Sequence, residues 1–152
     1  MKKFYAIIVL SILSIGNAIY LTIAAFKFKA GMAEKLLCDI NSYLSCSELF
    51  SYPFTWFFGY PFAMLALFVY SFIIIISIFA LLGKFNKGFL IIMITGICGI
   101  LFNSYIIVNE AIVKIFCLSC LTCSLSILTI TIISLFGVLG NKNKKSLKEE
   151  SQ

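Results

Sequence analysis

The chain has no histidine and no arginine. The first absence removes histidine-ligated haem, a histidine zinc site and an imidazole general base. The second leaves lysine as the only strong side-chain cation. Charge is scarce as well: Asp, Glu and Lys make up 12% of the 152 residues, against about 25% in an ordinary soluble domain. In its place stands an apolar fraction of 62%, well above the usual ~45–50%. This composition specifies an integral membrane protein with no room for a sizeable soluble domain. Chemistry is left to cysteine, carboxylates, hydroxyls or a borrowed cofactor. The net charge of +6 does not indicate a nucleic-acid surface, because the lysines are placed by membrane topology.

A membrane-spanning helix needs roughly 20 mostly apolar residues. Four stretches qualify: residues 4–26, 57–82, 89–108 and 115–139. The expected fold is an all-α membrane protein, a bundle of four transmembrane helices within residues 1–140, followed by a polar, irregular tail over 141–152. Short linkers at Gly83–Gly88 and Asn109–Lys114 make neighbouring helices antiparallel. The first apolar run, of about 23 residues, exceeds the 7–15 of a signal-peptide core and lacks a small-x-small cleavage site, so it is expected to stay as a span.

Lysine sets the orientation. The N-terminus, the Gly83–Gly88 turn and the tail hold eight lysines, and the opposite side holds four, namely Lys27, Lys29, Lys35 and Lys114. The positive-inside rule then puts both termini in the cytoplasm and the long loop 27–56 outside.

That loop carries Cys38 and Cys46, and the outer end of the fourth span carries Cys117 and Cys120. Both pairs face the compartment where disulfides persist. Cys117-Leu118-Ser119-Cys120 has the spacing of a small reactive disulfide, since helical positions i and i+3 share a face. Cys38 and Cys46 form either a structural brace or an exchangeable shuttle disulfide. A zinc site built from all four thiolates is the competing reading, but seven residues between Cys38 and Cys46 is an unusual half-site spacing, and no metal is expected. Two dithiol pairs that can meet at one membrane surface are the parts of an electron relay. Cys98 and Cys123 read as small packing residues, with Cys123 a possible spare thiol. Asp39 reads as a loop cap or solvated charge, and Glu110 with Lys114 as an exposed i, i+4 ion pair. No span shows a clear buried acid, which disfavours a transporter. The aromatic residues from Phe50 to Phe62 form an interfacial belt, a wall for a flat ligand, or both. Phe50 and Phe54, four apart, are expected to share a helical face.

Cys38-Asp39-Ile40 with Ser45-Cys46-Ser47, followed by the helical C-x-x-C at Cys117–Cys120, resembles the vitamin K epoxide reductase family. Gly59-Tyr60-Pro61 looks like the Gly-x-Pro of its bacterial members. The resemblance implies a four-helix bundle around a quinone (menaquinone or ubiquinone), capped by the outer loop. It implies that Cys120 lies beside the quinone, that Cys117 is its partner, that Cys46 passes electrons to Cys117, and that Cys38 takes them from an outside thiol protein. The implied activity is a quinone-dependent thiol oxidase that drives disulfide formation, with a separate periplasmic or extracellular thioredoxin-fold protein as partner. The implied location is the inner cell membrane. The family's hydroxyl six residues after the second loop cysteine falls on Tyr52, with Ser51 beside it. The Asn and Tyr that hold vitamin K in animal enzymes fall on Thr55 and Ser124. These substitutions argue against epoxide reduction, the alternative activity. Phe50, Ser51, Tyr52, Phe54 and Thr55 are the expected quinone contacts. The other bacterial quinone-linked disulfide oxidase has its two cysteine motifs in the reverse order. A non-catalytic membrane subunit with a braced loop is the reading outside enzymology.

Overall fold

The computed structural model describes residues 2–32, 39–40, 43–83 and 87–149, with side chains described between residues 3 and 140. Cys38 and the expected turn at 84–86 lie outside the described residues. Four long helices dominate: α1 (Lys2–Lys29), α3 (Phe62–Leu81), α4 (Gly88–Val113) and α5 (Leu118–Glu149). Each contains a stretch long and apolar enough to cross a membrane. A lipid core offers no partner for a free N–H or C=O, so a spanning segment must satisfy its backbone internally, as these helices do.

The helices close a ring. The first packs on α3 and α5, and α4 packs on α5 and α3. Small residues set the closest approaches. A Cβ on Gly96 would collide with Thr131 of α5, and one on Gly137 would collide with the ring of Phe89. Between membrane helices such small-residue contacts replace the hydrophobic drive that lipid cannot supply. Large apolar side chains on the outside, among them Leu13, Phe68, Leu101 and Leu125, are exposed and form the lipid-facing surface.

Some boundaries differ from the apolar runs. The second span starts at Phe62, not at residue 57, because a hairpin precedes it. Strands β1 (Trp56–Phe57) and β2 (Tyr60–Pro61) pair antiparallel around Phe58 and Gly59, whose φ values are 50° and 84°. Both central residues of a two-residue type I′ hairpin need positive φ. The third span runs to Val113, because Asn109–Val113 holds neither Gly nor Pro. Lys114 then ends it in the left-handed conformation, with φ 58°. Beyond Gly140 the backbone stays helical to Glu149, where an irregular tail was expected; the segment has no helix breaker and is rich in lysine.

The core has two clusters. One, at the loop end, joins Leu21, Ala25, Leu49, Phe50 and Ile106 to Cys46, Cys117 and Cys120. The other joins Ile7, Tyr70, Ile73, Ile92, Ile127 and Ile130 deeper in the bundle.

Candidate active site

The outer loop is tied down where Cys46 must be placed. Leu44 forms a parallel bridge with Phe116, and the Phe116 N–H donates to the Tyr43 carbonyl at 2.8 Å. Two residues beyond Leu44 is Cys46, and one beyond Phe116 is Cys117, so the bridge brings the two cysteines together. Ser45 caps the one-turn helix α2 (Cys46–Leu49) by accepting from the Glu48 N–H. Asp39 braces the turn, as expected of a loop cap: its Oδ1 accepts from Ser45 Oγ and from the Ser47 N–H, each at 3.1 Å. Removing it with Asp39→Ala deletes two bonds to a carboxylate, each worth about 1.5–3 kcal/mol at most. Amide exchange at Ser47 is expected to speed up at least about tenfold, a loss of about 1.4 kcal/mol. Unchanged exchange would remove Asp39 from the brace.

Cys46 Sγ and Cys117 Sγ lie 2.8 Å apart. Both side chains are buried. Cys46 is disulfide-bonded, while Cys117 and Cys120 are in no disulfide. The separation exceeds the ~2.05 Å of a disulfide by only roughly 0.8 Å. Cys117 immediately precedes α5 and Cys120 sits in its first turn, both buried in the same cluster. The structure therefore brings Cys46, Cys117 and Cys120 into one buried cluster.

Below Cys120 a cavity of about 250 Å³ opens between the helices. Its walls come from all four: Ala18 and Leu21 of α1, Phe62, Ala63 and Ala66 of α3, Phe102 and Asn103 of α4, and Cys120 and Cys123 of α5. It sits at the seam of the two core clusters, where Phe62 and Leu21 give way to Tyr70 and Ile127.

The residues expected to touch a quinone do not line this cavity. Phe50 is buried against Phe28, with ring centroids 6.1 Å apart. Ser51 is exposed and donates to the Glu48 carbonyl. Tyr52 stacks at a tilt on Phe54, 5.8 Å away. Thr55 is fully buried, with its hydroxyl donating to the Tyr52 carbonyl at 2.7 Å. None of these five lines the cavity. The physical reason is Pro53, which ends the helical path after Leu49 and starts a 3-10 turn, Pro53–Thr55. Phe50 and Phe54 consequently share no helical face, and the segment folds as a lid over the cysteines. Trp56 locks it by donating from Nε1 to the Phe50 carbonyl at 2.9 Å. Lys29 lies over the Trp56 ring, 4.9 Å from its centroid. At the hairpin tip Phe58 is 93% exposed, which suits the belt reading of this part of the aromatic run.

Other site residues were not visible in the sequence. Asn17, midway along α1, donates from Nδ2 to the Ser119 carbonyl at 2.9 Å and to Cys123 Sγ at 3.2 Å, tying the turn that carries Cys120 to the neighbouring helix. Asn103 donates to Ser124 Oγ at 2.7 Å. Cys98 lines the cavity and is not a packed core residue. Glu110 is the largest departure. The expected exposed pair with Lys114 is not formed; Glu110 is 0% exposed, faces inward, and supplies the buried acid that no span was expected to hold. The only signal in the sequence was a lone carboxylate close to the end of an apolar run.

Among the described residues, no group of three or more Cys, Asp or Glu is arranged to hold a metal ion. No curated protein matches the chain. The sequence model described as "Vitamin K epoxide reductase family" matches residues 5–135, which takes in all four spans and the loop between the first two. Membership carries oxidoreductase chemistry that links thiols to a quinone. By that match, over most of its length, the chain belongs to the vitamin K epoxide reductase family.

Proposed function

We propose that this protein is a quinone-dependent thiol oxidase that reoxidises an extracytoplasmic thioredoxin-fold protein. Electrons pass from Cys38 and Cys46 to Cys117 and Cys120, and then to the quinone. The observation that carries the reading is the 2.8 Å contact between Cys46 Sγ and Cys117 Sγ. A disulfide that only braced the loop would have no need of a free thiol held against it inside the core. The lysine asymmetry supports termini in the cytoplasm and both cysteine pairs outside, in an inner cell membrane.

Each step is thiol–disulfide exchange. A reduced thiol of the partner attacks the Cys38–Cys46 disulfide at Cys38, and the partner leaves oxidised. The freed Cys46 thiolate attacks Cys117 in the Cys117–Cys120 disulfide, and Cys120 leaves as a thiolate. Cys38 then closes on Cys46 and releases Cys117, so the inner pair holds both electrons. Small differences in potential drive this, since about 30 mV equals about 1.4 kcal/mol for a two-electron couple.

The cavity fits a quinone head group. It is almost wholly apolar, has the rings of Phe62 and Phe102 in its wall, and places the Cys120 thiol at its edge. Phe62, Ala63, Ala66 and Phe102 would hold the ring. Bound there, a quinone supplies a two-electron, two-proton acceptor. The loop segment 50–56 keeps water from the thiols, and Asn17 holds the turn that carries Cys120.

The test is anaerobic. The purified protein, given a reduced thioredoxin-fold protein and a menaquinone or ubiquinone analogue, is expected to form one quinol per partner disulfide. Partner oxidation without quinol, or quinol without partner oxidation, defeats the proposal.

A further inference from the structure

We infer that Glu110 is the proton carrier of the inner cysteine pair, giving a proton to Cys120 when its disulfide opens and taking it back when the pair is reoxidised. The inference rests on the reading above, in which Cys117 and Cys120 cycle between disulfide and dithiol.

Glu110 lies in the last turn of α4, facing the start of α5. Among the described residues it is the one fully buried carboxylic acid. Its Oε2 accepts from the Cys117 N–H at 3.4 Å. That bond sets its carboxyl at the buried turn that carries Cys117 and, three residues on, Cys120. Its Oε1 is buried and has no hydrogen-bond partner among the described residues. An ionisable side chain inside a membrane helix is costly and marks function by default. A single long bond to a backbone amide does little to offset that cost, and a neutral amide or hydroxyl would serve it as well. An acid with one oxygen left open beside a reactive thiol needs another explanation.

The exchange chemistry supplies one. When the Cys46 thiolate attacks, the Cys46–Cys117 bond forms, the Cys117–Cys120 bond breaks, and the electron pair leaves on Cys120. That thiolate is buried in the apolar cluster that also holds Leu21, Ala63 and Ile106, where an unpaired charge is strongly disfavoured. A proton from Glu110 neutralises it. When the inner pair later gives up two electrons and closes, Cys120 returns that proton to Glu110. The remaining protons exchange with water, and the net reaction is dithiol plus quinone to disulfide plus quinol. The other groups around Glu110 are poorly suited to the task. Just before α5, the Cys117 N–H is its bonded partner. Across from Cys117, Cys46 of α2 is in a disulfide. Tyr20 and Tyr52 pack against the same cluster and carry hydroxyls, not carboxyls. Lys114 ends its own helix.

The test uses the full chain in detergent with no quinone present. Dithiothreitol reduces the oxidised protein from pH 5 to 9, free thiols are alkylated at intervals, and Cys117 and Cys120 are quantified by mass spectrometry. Glu110→Gln keeps the acceptor for the Cys117 N–H and loses the proton. It is expected to slow opening of the inner disulfide by about 10²-fold, the scale of a lost general acid, and to flatten the pH profile once rates are divided by the thiolate fraction of the reductant. Glu110→Asp, shorter but still an acid, is expected to keep the shape of the profile at a reduced rate. Wild-type rates and profile in Glu110→Gln overturn the inference, as does a Glu110→Asp profile as flat as that of Glu110→Gln. If the wild type exchanges thiols but reduces no quinone, the proposed function fails while Glu110 is still judged on exchange alone.

Discussion

Replacing Cys120 with serine is expected to abolish quinol formation and to leave Cys46 and Cys117 joined. The lost activity should amount to at least ~10³-fold, the scale on which groups acting as a unit fail when one is removed. The trapped bond follows from geometry. With Cys120 gone, Cys117 has no inner partner, and the nearest sulfur is Cys46 Sγ at 2.8 Å. Attack of the Cys117 thiolate on the Cys46 disulfide needs a shift of only roughly 0.8 Å to reach bonding distance. It releases the other half of that disulfide as a thiol. No thiol of the inner pair remains to resolve the mixed disulfide, and alkylating the freed outer thiol keeps it trapped. Digestion under non-reducing conditions and mass spectrometry would find a peptide linking Cys46 to Cys117. Serine has no bulk beyond that of cysteine, so the bundle should survive. A variant that keeps forming quinol would remove Cys120 from the end of the relay. One that stops but shows no linked peptide would mean that the close contact does not exchange.

Filling the cavity should produce the second large effect. Ala66 lines it from α3 and is only half-buried, so Ala66→Trp projects a large ring into a space of about 250 Å³. Quinone-dependent turnover is expected to fall at least about tenfold, the equivalent of about 1.4 kcal/mol of lost binding, seen mainly as a raised KM for quinone. Reduction of Cys117 and Cys120 through the outer pair should continue at the wild-type rate, because the thiol contacts lie at the loop end, away from Ala66. Overpacking can cost about 1–3 kcal/mol of stability, and intact thiol exchange serves as the control for folding. Unchanged KM and kcat for each quinone tried would move the acceptor site elsewhere. The lid residues Phe50 and Phe54 would then return as candidates.

Much of the architecture was open to reading because membranes impose one simple rule. A lipid core accepts only backbone that bonds to itself, so four long apolar runs become four helices. Cysteine spacing carried the redox reading, since C-x-x-C on a helix puts two sulfurs on one face whatever surrounds it. Errors arose where composition says little about direction. The aromatic run from Phe50 to Phe62 reads as belt, as pocket wall or as both, and Pro53 breaks the helical path on which Phe50 and Phe54 would have shared a face. Glu110 looked like half of a surface ion pair because nothing local marks where α4 ends.

The sequence by itself determined the four spans, the two cysteine motifs and the family to which they belong. Each of these depends on residues close together in the chain. Only the tertiary structure decided which sulfurs touch, where the cavity opens and which way Glu110 faces. Those outcomes depend on contacts between helices far apart in sequence, such as Leu44 with Phe116 or Asn17 with Ser119. No local pattern encodes them, because each is set by how four rigid helices fit together.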